Sequence, residues 1–368
     1  MSGKRMKTIE ASGKPHEIGR MHGMILRREI RDFVRYLHNE FAADDVSVEE
    51  ARAFAAKYIP YIKNFSLDAY NEMAGIAEGA EVNFEDIVMI ALSEEVESFS
   101  HACTTFAATG QATTYSHTLL AQTWDDSLNW FQNVDTFMFK KRYNDAPEVL
   151  AFIFPGMIAA AGLNTSCLGI SWNTVPQLMI KRGVPTYVII NEVIKQKTAG
   201  EAISVVKTAD RAGCFNFMVA DDSIIYNVES TPEDVDVSYT SSFYGHANHY
   251  VGDKFSHRQD LEIERKRSSA SASTVERHNR ITNLLDENYS RVGREKAKEF
   301  LCDHFNYPDS ICSHPNPDRE KVDRCITRAA WVMLPCKREW WISSGPPCEN
   351  KFYMYVLNRA RKFNGILR

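Results

Sequence analysis

Cys103 stands at a boundary between two kinds of sequence. Before it, apolar side chains recur at helical spacing; after it, from Thr104-Thr105-Phe106, the chain turns to short runs rich in β-branched and aromatic residues, punctuated by glycine and Asn-Asp. This places a candidate nucleophile at the first position of the first core strand. The plainer reading of any one of the eight cysteines is a small buried hydrophobe. A second chemistry-bearing pattern is Cys302-Asp303-His304 followed by Cys312-Ser313-His314, a spacing like that of metal ligands. The Ala297, Phe300, Leu301, His304 periodicity predicts a helix over 294 to 304, in which residues two apart point to opposite sides and cannot share an ion, so no metal is assigned. Lys140-Lys141-Arg142 reads as a solvated strand end, with the mouth of a site as the alternative.

The elements that must hold such groups follow from pattern. Lys7 to Ala11 is a short candidate strand, and a helical stripe then runs through Ile18, Met21, Met24 or Ile25, Ile30, Phe33, Val34, Leu37 and Phe41. Ser47 with Glu50 forms a capping box for a second helix carrying Ala53, Phe54, Tyr58 and Ile62, which Pro60 bends or ends. A third helix spans Ser66 to Gly79, with Gly79 as its stop, and Asn83 opens a fourth toward Val96. Strands are predicted at 103 to 109, 118 to 124, 134 to 141, 149 to 154 and 167 to 172. Two helices follow, one after Pro185 and one at Gly200 to Lys207. Further strands are expected at 215 to 220, 223 to 229 and 234 to 239. The serine-rich, charged stretch 254 to 272 reads as a mobile connection. Helices at about 274 to 286 and 294 to 304 and strands near 326 to 334, 338 to 343 and 351 to 357 complete the chain. Strands and helices in separate consecutive groups predict an α+β layered sandwich, not a doubly wound sheet.

With 44% hydrophobic residues over 368 positions the chain can bury a large core without disulfide staples, so reduced thiols are the expectation. A net charge of -5 with no long basic run argues against nucleic acid as a partner. No run approaches the length of a membrane span or a signal peptide, and a soluble, cytoplasmic protein is expected.

Several stretches together resemble the acyl-coenzyme A:6-aminopenicillanate (isopenicillin N) acyltransferases and their amide-hydrolase relatives, within the N-terminal nucleophile hydrolases. They are His16-Glu17-Ile18-Gly19-Arg20-Met21-His22-Gly23, Gly75-Ile76-Ala77-Glu78-Gly79-Ala80, Cys103-Thr104-Thr105, Gln122-Thr123-Trp124-Asp125 and Gly162-Leu163-Asn164 with Asn173. Later in the chain come Ala247-Asn248-His249, Asn306-Tyr307-Pro308 with Ser310-Ile311-Cys312, and Gly345-Pro346-Pro347-Cys348. The resemblance implies a four-layer αββα sandwich and a precursor that cuts itself between Ala102 and Cys103. Residues 1 to 102 become a helical small subunit and 103 to 368 the catalytic large one, together forming one domain.

The implied chemistry suits the residue. A thiol of pKa ~8.5 needs a base, and the α-amine released by the cut titrates near ~8, so one residue supplies nucleophile and base together. By the resemblance, Asn248 is the oxyanion donor and Asp125 holds the Cys103 ammonium or assists the cut, while Asn164 and Asn173 line the acyl pocket. Composition alone offers a turn role for Asn248, a strand-end cap for Asp125 and loop closure for the other two asparagines.

Two departures matter. Ala102 stands where the family usually has glycine, which predicts slow self-cleavage, and Ser313 stands where it commonly has arginine, removing a cation for a substrate carboxylate, with Arg319 too far along to replace it. Penicillin-like substrates are therefore disfavoured, and no phosphate-cradling glycine motif is present. The expected activity is self-processing cysteine amidohydrolysis of a small N-acyl amine through a Cys103 thioester, without cofactor and with the two fragments remaining associated. Acyl-coenzyme A-dependent N-acyl transfer to a small amine from an acyl thioester is the nearest alternative. From another class, the alternative is an uncleaved binding protein with a metal at Cys302, His304, Cys312 or His314.

Overall fold

The computed structural model describes residues 4–96, 102–128, 134–257, 273–321 and 324–357. Phe99 to His101 lie outside the described residues, as do residues 258 to 272 of the mobile connection expected from 254; its first residues are instead helical, in Asp253–Ser256, with Phe255 buried.

Two sheets face one another. The eight-stranded sheet has the order β1-β4-β5-β6-β7-β8-β9-β10. Its members are β1 (Lys7–Gly13), β4 (Phe137–Tyr143), β5 (Val149–Ile153), β6 (Ala161–Asn164), β7 (Gly169–Thr174), β8 (Phe215–Ala220), β9 (Ile225–Ser230) and β10 (Val235–Thr240). The six-stranded sheet runs β11-β2-β3-β12-β13-β14. It comprises β2 (Ala102–Ala108), β3 (Leu119–Ser127), β11 (Phe243–His246), β12 (Cys325–Leu334), β13 (Glu339–Ser344) and β14 (Tyr353–Val356). All neighbours are antiparallel except β1 with β4.

The helices are α1 (Pro15–Ile25), α2 (Arg27–Ala43), α3 (Val48–Ala56), α4 (Ile59–Phe65), α5 (Leu67–Ala80), α6 (Phe84–Ala91), α7 (Ser93–Val96), α8 (Thr186–Ile194), α9 (Ala199–Thr208), α10 (Asp253–Ser256), α11 (Thr274–Glu287) and α12 (Arg294–Leu301). The first sheet is covered by α1 on β1 and β4, α8 on β6 and β7, and α9 on β8 and β9; the second by α11 on β11 and β2 and α12 on β3 and β12. This is the expected αββα sandwich.

Period-two alternation decides what each strand of the six-stranded sheet offers. Cys103, Ala107, Leu120, Trp124, Trp331 and Trp340 point into the core between the sheets. Phe106, Ala108, Leu119, Ala121 and Ala330 face α11 and α12, where they meet Ile281, Leu285 and Phe300. Gln122 ties the sheets together, its Nε2 donating to the Trp172 carbonyl at 2.8 Å, and Trp331 Nε1 donates across to Ser171 Oγ at 3.1 Å.

Four expectations are corrected. The first helix is two, α1 and α2, broken at Leu26, and Met21, Met24 and Ile25 are 41%, 52% and 49% exposed. Instead α1 buries Ile18, Gly19, His22 and Gly23, because Gly19 and Gly23 cross Gly75 and Gly79 of α5 with backbone against backbone, where a Cβ would collide. Gly79 is thus a contact inside α5, which ends at Ala80 with Glu81 left-handed. Lys141 is not solvated: it is fully buried, with Nζ 2.5 Å from Glu72 Oε1 and 2.9 Å from Asn191 Oδ1. Finally, α12 ends at Leu301, so Cys302 and His304 lie beyond the helix.

Candidate active site

Cys103 is the second residue of β2, cross-strand from Trp124, and its side chain is buried between the sheets. Trp124 packs edge-on against Phe154, Phe152 and Trp172, with ring centroids 4.8, 5.2 and 6.2 Å away, so the thiol opens onto an aromatic interior. Burial raises the thiol pKa, and the negative charge of Asp125 raises it further, against a smaller opposing pull from Arg277. In the uncut chain the sulfur is therefore protonated at neutral pH.

The backbone of Cys103 is gripped from both sides. Its N–H donates to Asn248 Oδ1 at 2.8 Å, and its carbonyl accepts from the Arg277 guanidinium at 2.6 Å. Arg277 also donates to Thr104 Oγ1 at 3.0 Å, Asn248 Oδ1 at 2.8 Å and Ser273 Oγ at 3.0 Å. A fully buried guanidinium with every bond directed at fixed oxygens is a rigid clamp. Arg277 was not singled out from the sequence. Its signal was there: α11 buries Thr274, Arg277, Ile281 and Leu285, a stripe in which a lone arginine occupies an apolar position.

Asn248, on the segment after β11, reaches chain-distant groups and does not close its own turn. Its Nδ2 donates to both the carbonyl and the Oγ1 of Thr174, each at 3.0 Å. Thus the oxygen faces the Cys103 amide, and the amide nitrogen faces the end of β7. Asn173, the preceding residue, is buried with Nδ2 unpaired, and its Oδ1 is 3.5 Å from Asn216 Nδ2. Asn164 is different: Nδ2 donates to the carbonyls of Ile194 and Gln196 and Oδ1 accepts from Ser166 and Leu168, so its polar atoms are taken by loop closure.

Asp125 pairs across the strand with Ala102, the residue before the nucleophile, and so shares the helix-facing side of the sheet with it and with Arg277. A bulge in β12 between Thr327 and Ala329 sits opposite, and Thr327 Oγ1 donates to Asp125 Oδ1 at 2.6 Å; Oδ2 has no partner. Burial lifts the carboxyl to about 7, although Arg277 and Thr327 pull the other way. Thr327 in turn accepts from the Ser313 backbone N–H at 2.8 Å. Arg319, remote from the Ser313 position in sequence, is paired with Asp309 Oδ2 at 2.9 Å.

Two more buried carboxylates precede the junction. Glu94 Oε1 accepts from Tyr187 O–H and Glu95 Oε1 from the Thr186 N–H at the start of α8, both at 2.6 Å; burial raises Glu95 to about 8. They anchor α7 to α8, in the helix layer of the eight-stranded sheet.

A cysteine at the start of a central strand, facing the gap of an αββα sandwich with its backbone clamped by arginine and asparagine, is an arrangement suited to a cysteine-nucleophile hydrolase or acyltransferase. Residues 112–348 match the family model described as acyl-coenzyme A:6-aminopenicillanic acid acyl-transferase, and the chain belongs to that family. It is 23% identical over 323 residues, 83% of this chain and 84% of the relative, to the acyl-coenzyme A:6-aminopenicillanic-acid-acyltransferase 40 kDa form of Emericella nidulans. Among solved structures it is similar to a mutant form of conjugated bile acid hydrolase from Clostridium perfringens. That match has a TM-score of 0.48 and 13% identity, covering 72% of this chain and 100% of that one. It is also similar to penicillin V acylase from Agrobacterium tumefaciens, with a TM-score of 0.42 and 12% identity, covering 66% and 83%.

Proposed function

We propose that this chain cuts itself between Ala102 and Cys103 and that the new N-terminal cysteine hydrolyses a small N-acylated amine. In the cut, Cys103 Sγ attacks the Ala102 carbonyl carbon, the peptide nitrogen leaves as the Cys103 amine, and water resolves the resulting thioester. Asp125, cross-strand from Ala102 and titrating at about 7, is the proton carrier proposed for this step.

In turnover the freed amine takes the thiol proton while sulfur attacks the substrate carbonyl. Collapse breaks the C–N bond as the amine returns that proton to the leaving nitrogen, and water then releases the acid from the thioester. Asn248 Oδ1, which holds the Cys103 N–H, orients the amine; its Nδ2 is the proposed oxyanion donor, shared with Thr174. Asn173, with an unpaired amide beside Thr174, is the proposed substrate contact. Trp124 beside the thiol favours an acyl group with an apolar body. A cytoplasmic location is proposed with this, on the support of eight free thiols.

The observation that carries the reading is the clamped backbone of Cys103, with Asn248 on its nitrogen and Arg277 on its carbonyl. The test is to incubate purified protein with a panel of N-acyl amines, with and without an amine acceptor. Release of free acid whose rate ignores the acceptor supports hydrolysis. Acylated acceptor formed in its place from an acyl thioester establishes transfer, and inertness of a fully cut protein toward every N-acyl bond refutes both.

A further inference from the structure

The loop after α12 and the segment after β13 bring together four side chains that the active site does not use. Ligand atoms of His304, Cys312, His314 and Cys348 all lie within 4.8 Å of one another. Cys312 Sγ is 3.5 Å from Cys348 Sγ, and His314 Nε2 is 3.3 Å from Cys348 Sγ and 3.6 Å from Cys312 Sγ. A tetrahedron with Zn–S near 2.3 Å and Zn–N near 2.0 Å has ligand-to-ligand edges of roughly 3.3–3.8 Å, so these three atoms already stand at the separations that zinc imposes. They are too far apart for a disulfide, whose sulfurs lie about 2 Å from each other.

The surroundings fit as well. His314 points Nε2 at the thiols while Nδ1 is 3.7 Å from Glu349 Oε1, the carboxylate-behind-histidine arrangement that orients zinc ligands. Cys312 is buried, and backbone bonds fix both ends of its loop, from Cys312 N to the Asp303 carbonyl and from His314 N to the Pro308 carbonyl, each 3.0 Å. The sequence argument against a metal fails on its premise, since α12 stops at Leu301 and leaves His304 free to turn. Cys348 takes the place in the set that Cys302 held in the sequence pattern.

We propose that His304, Cys312, His314 and Cys348 bind one divalent zinc ion. Two thiolates and two imidazoles fill a tetrahedral shell, so the ion is structural, with no position left for a substrate. It staples the 304–314 loop to the segment after β13. Between the ligands Cys312 and His314 lies Ser313, whose N–H supports Thr327 and through it Asp125, so the ion also fixes the outer support of the active site. This holds whether or not Cys103 cuts the chain.

The test uses untagged full-length protein purified without chelators. Metal analysis is expected to find about one zinc per chain, and replacement by cobalt to give the visible absorption of a tetrahedral thiolate site. Cys312→Ala and Cys348→Ser each abolish the cobalt spectrum, whereas Cys302→Ser retains it. Protein that holds no zinc as isolated and takes up neither zinc nor cobalt overturns the proposal, as does an intact mass lower by two hydrogens that maps to a Cys312–Cys348 disulfide. Wild-type cobalt uptake decides the matter even if a variant fails to fold.

Discussion

Asp125 ties the electrostatics of the uncut chain to a measurable pH dependence. Its carboxyl is fully buried and lifted from 3.8 to about 7, mainly by loss of hydration. Between these two values the folded chain holds a proton that the unfolded chain releases, so stability is fully present below about 4 and is lost as pH rises toward 7. A span of about three pH units at ~1.4 kcal/mol each amounts to about 4 kcal/mol, an order-of-magnitude figure. The perturbation is Asp125→Asn, which imitates the neutral carboxyl, in a Cys103→Ala background that keeps every sample uncut. Urea unfolding of Cys103→Ala with and without Asp125→Asn, from pH 4 to 8, reads the difference directly. Other buried acids such as Glu95 are common to both proteins and cancel. The asparagine form should gain several kcal/mol relative to its parent as pH rises to 8, with near equality at pH 4. A difference that stays flat within ~0.5 kcal/mol across that range refutes the raised carboxyl and its part in the cut.

Arg277→Lys removes the fork that joins the Cys103 carbonyl to Thr104 and Asn248; a time course on denaturing gels should show self-cleavage slowed at least about tenfold, with stability reduced by ~1–3 kcal/mol. Glu72→Gln strands the buried Lys141 ammonium and should cost about 3–5 kcal/mol, while Glu72→Leu with Lys141→Met should recover much of it, as read by chemical denaturation. Because Glu72 precedes the cut and Lys141 follows it, and because β1 pairs with β4 across the same division, native chromatography should keep the two fragments of cleaved protein together. Asn248→Ala should still fold, but steady-state assays on its cleaved form should show kcat lowered by about 10²-fold or more with KM little changed.

Much of the sandwich was legible because short strand-length runs such as Leu119–Ser127 and Cys325–Leu334, buried along nearly their whole length, have a local cause, and the turn from helix to strand at Cys103 has a compositional one. The misreadings share a different cause: each depended on a partner far away in the chain. Met21 and Met24 look like core residues until α5 brings Gly75 and Gly79 against the opposite face of α1. Lys141 reads as solvated until Glu72, 69 residues earlier, meets it. Asn248 has turn composition, yet its oxygen serves an amide 145 residues before it. The ligand set around Cys312 was half visible, since His304 and His314 are near in sequence but Cys348 arrives from the far side of β12 and β13.

The most direct test of the central claim is intact mass and N-terminal sequencing of purified, active wild-type protein beside Cys103→Ala. Two fragments are predicted for the wild type, the larger beginning Cys103-Thr104-Thr105, and a single uncut chain for the variant. Full activity from wild-type protein whose Ala102–Cys103 bond is intact would contradict the account.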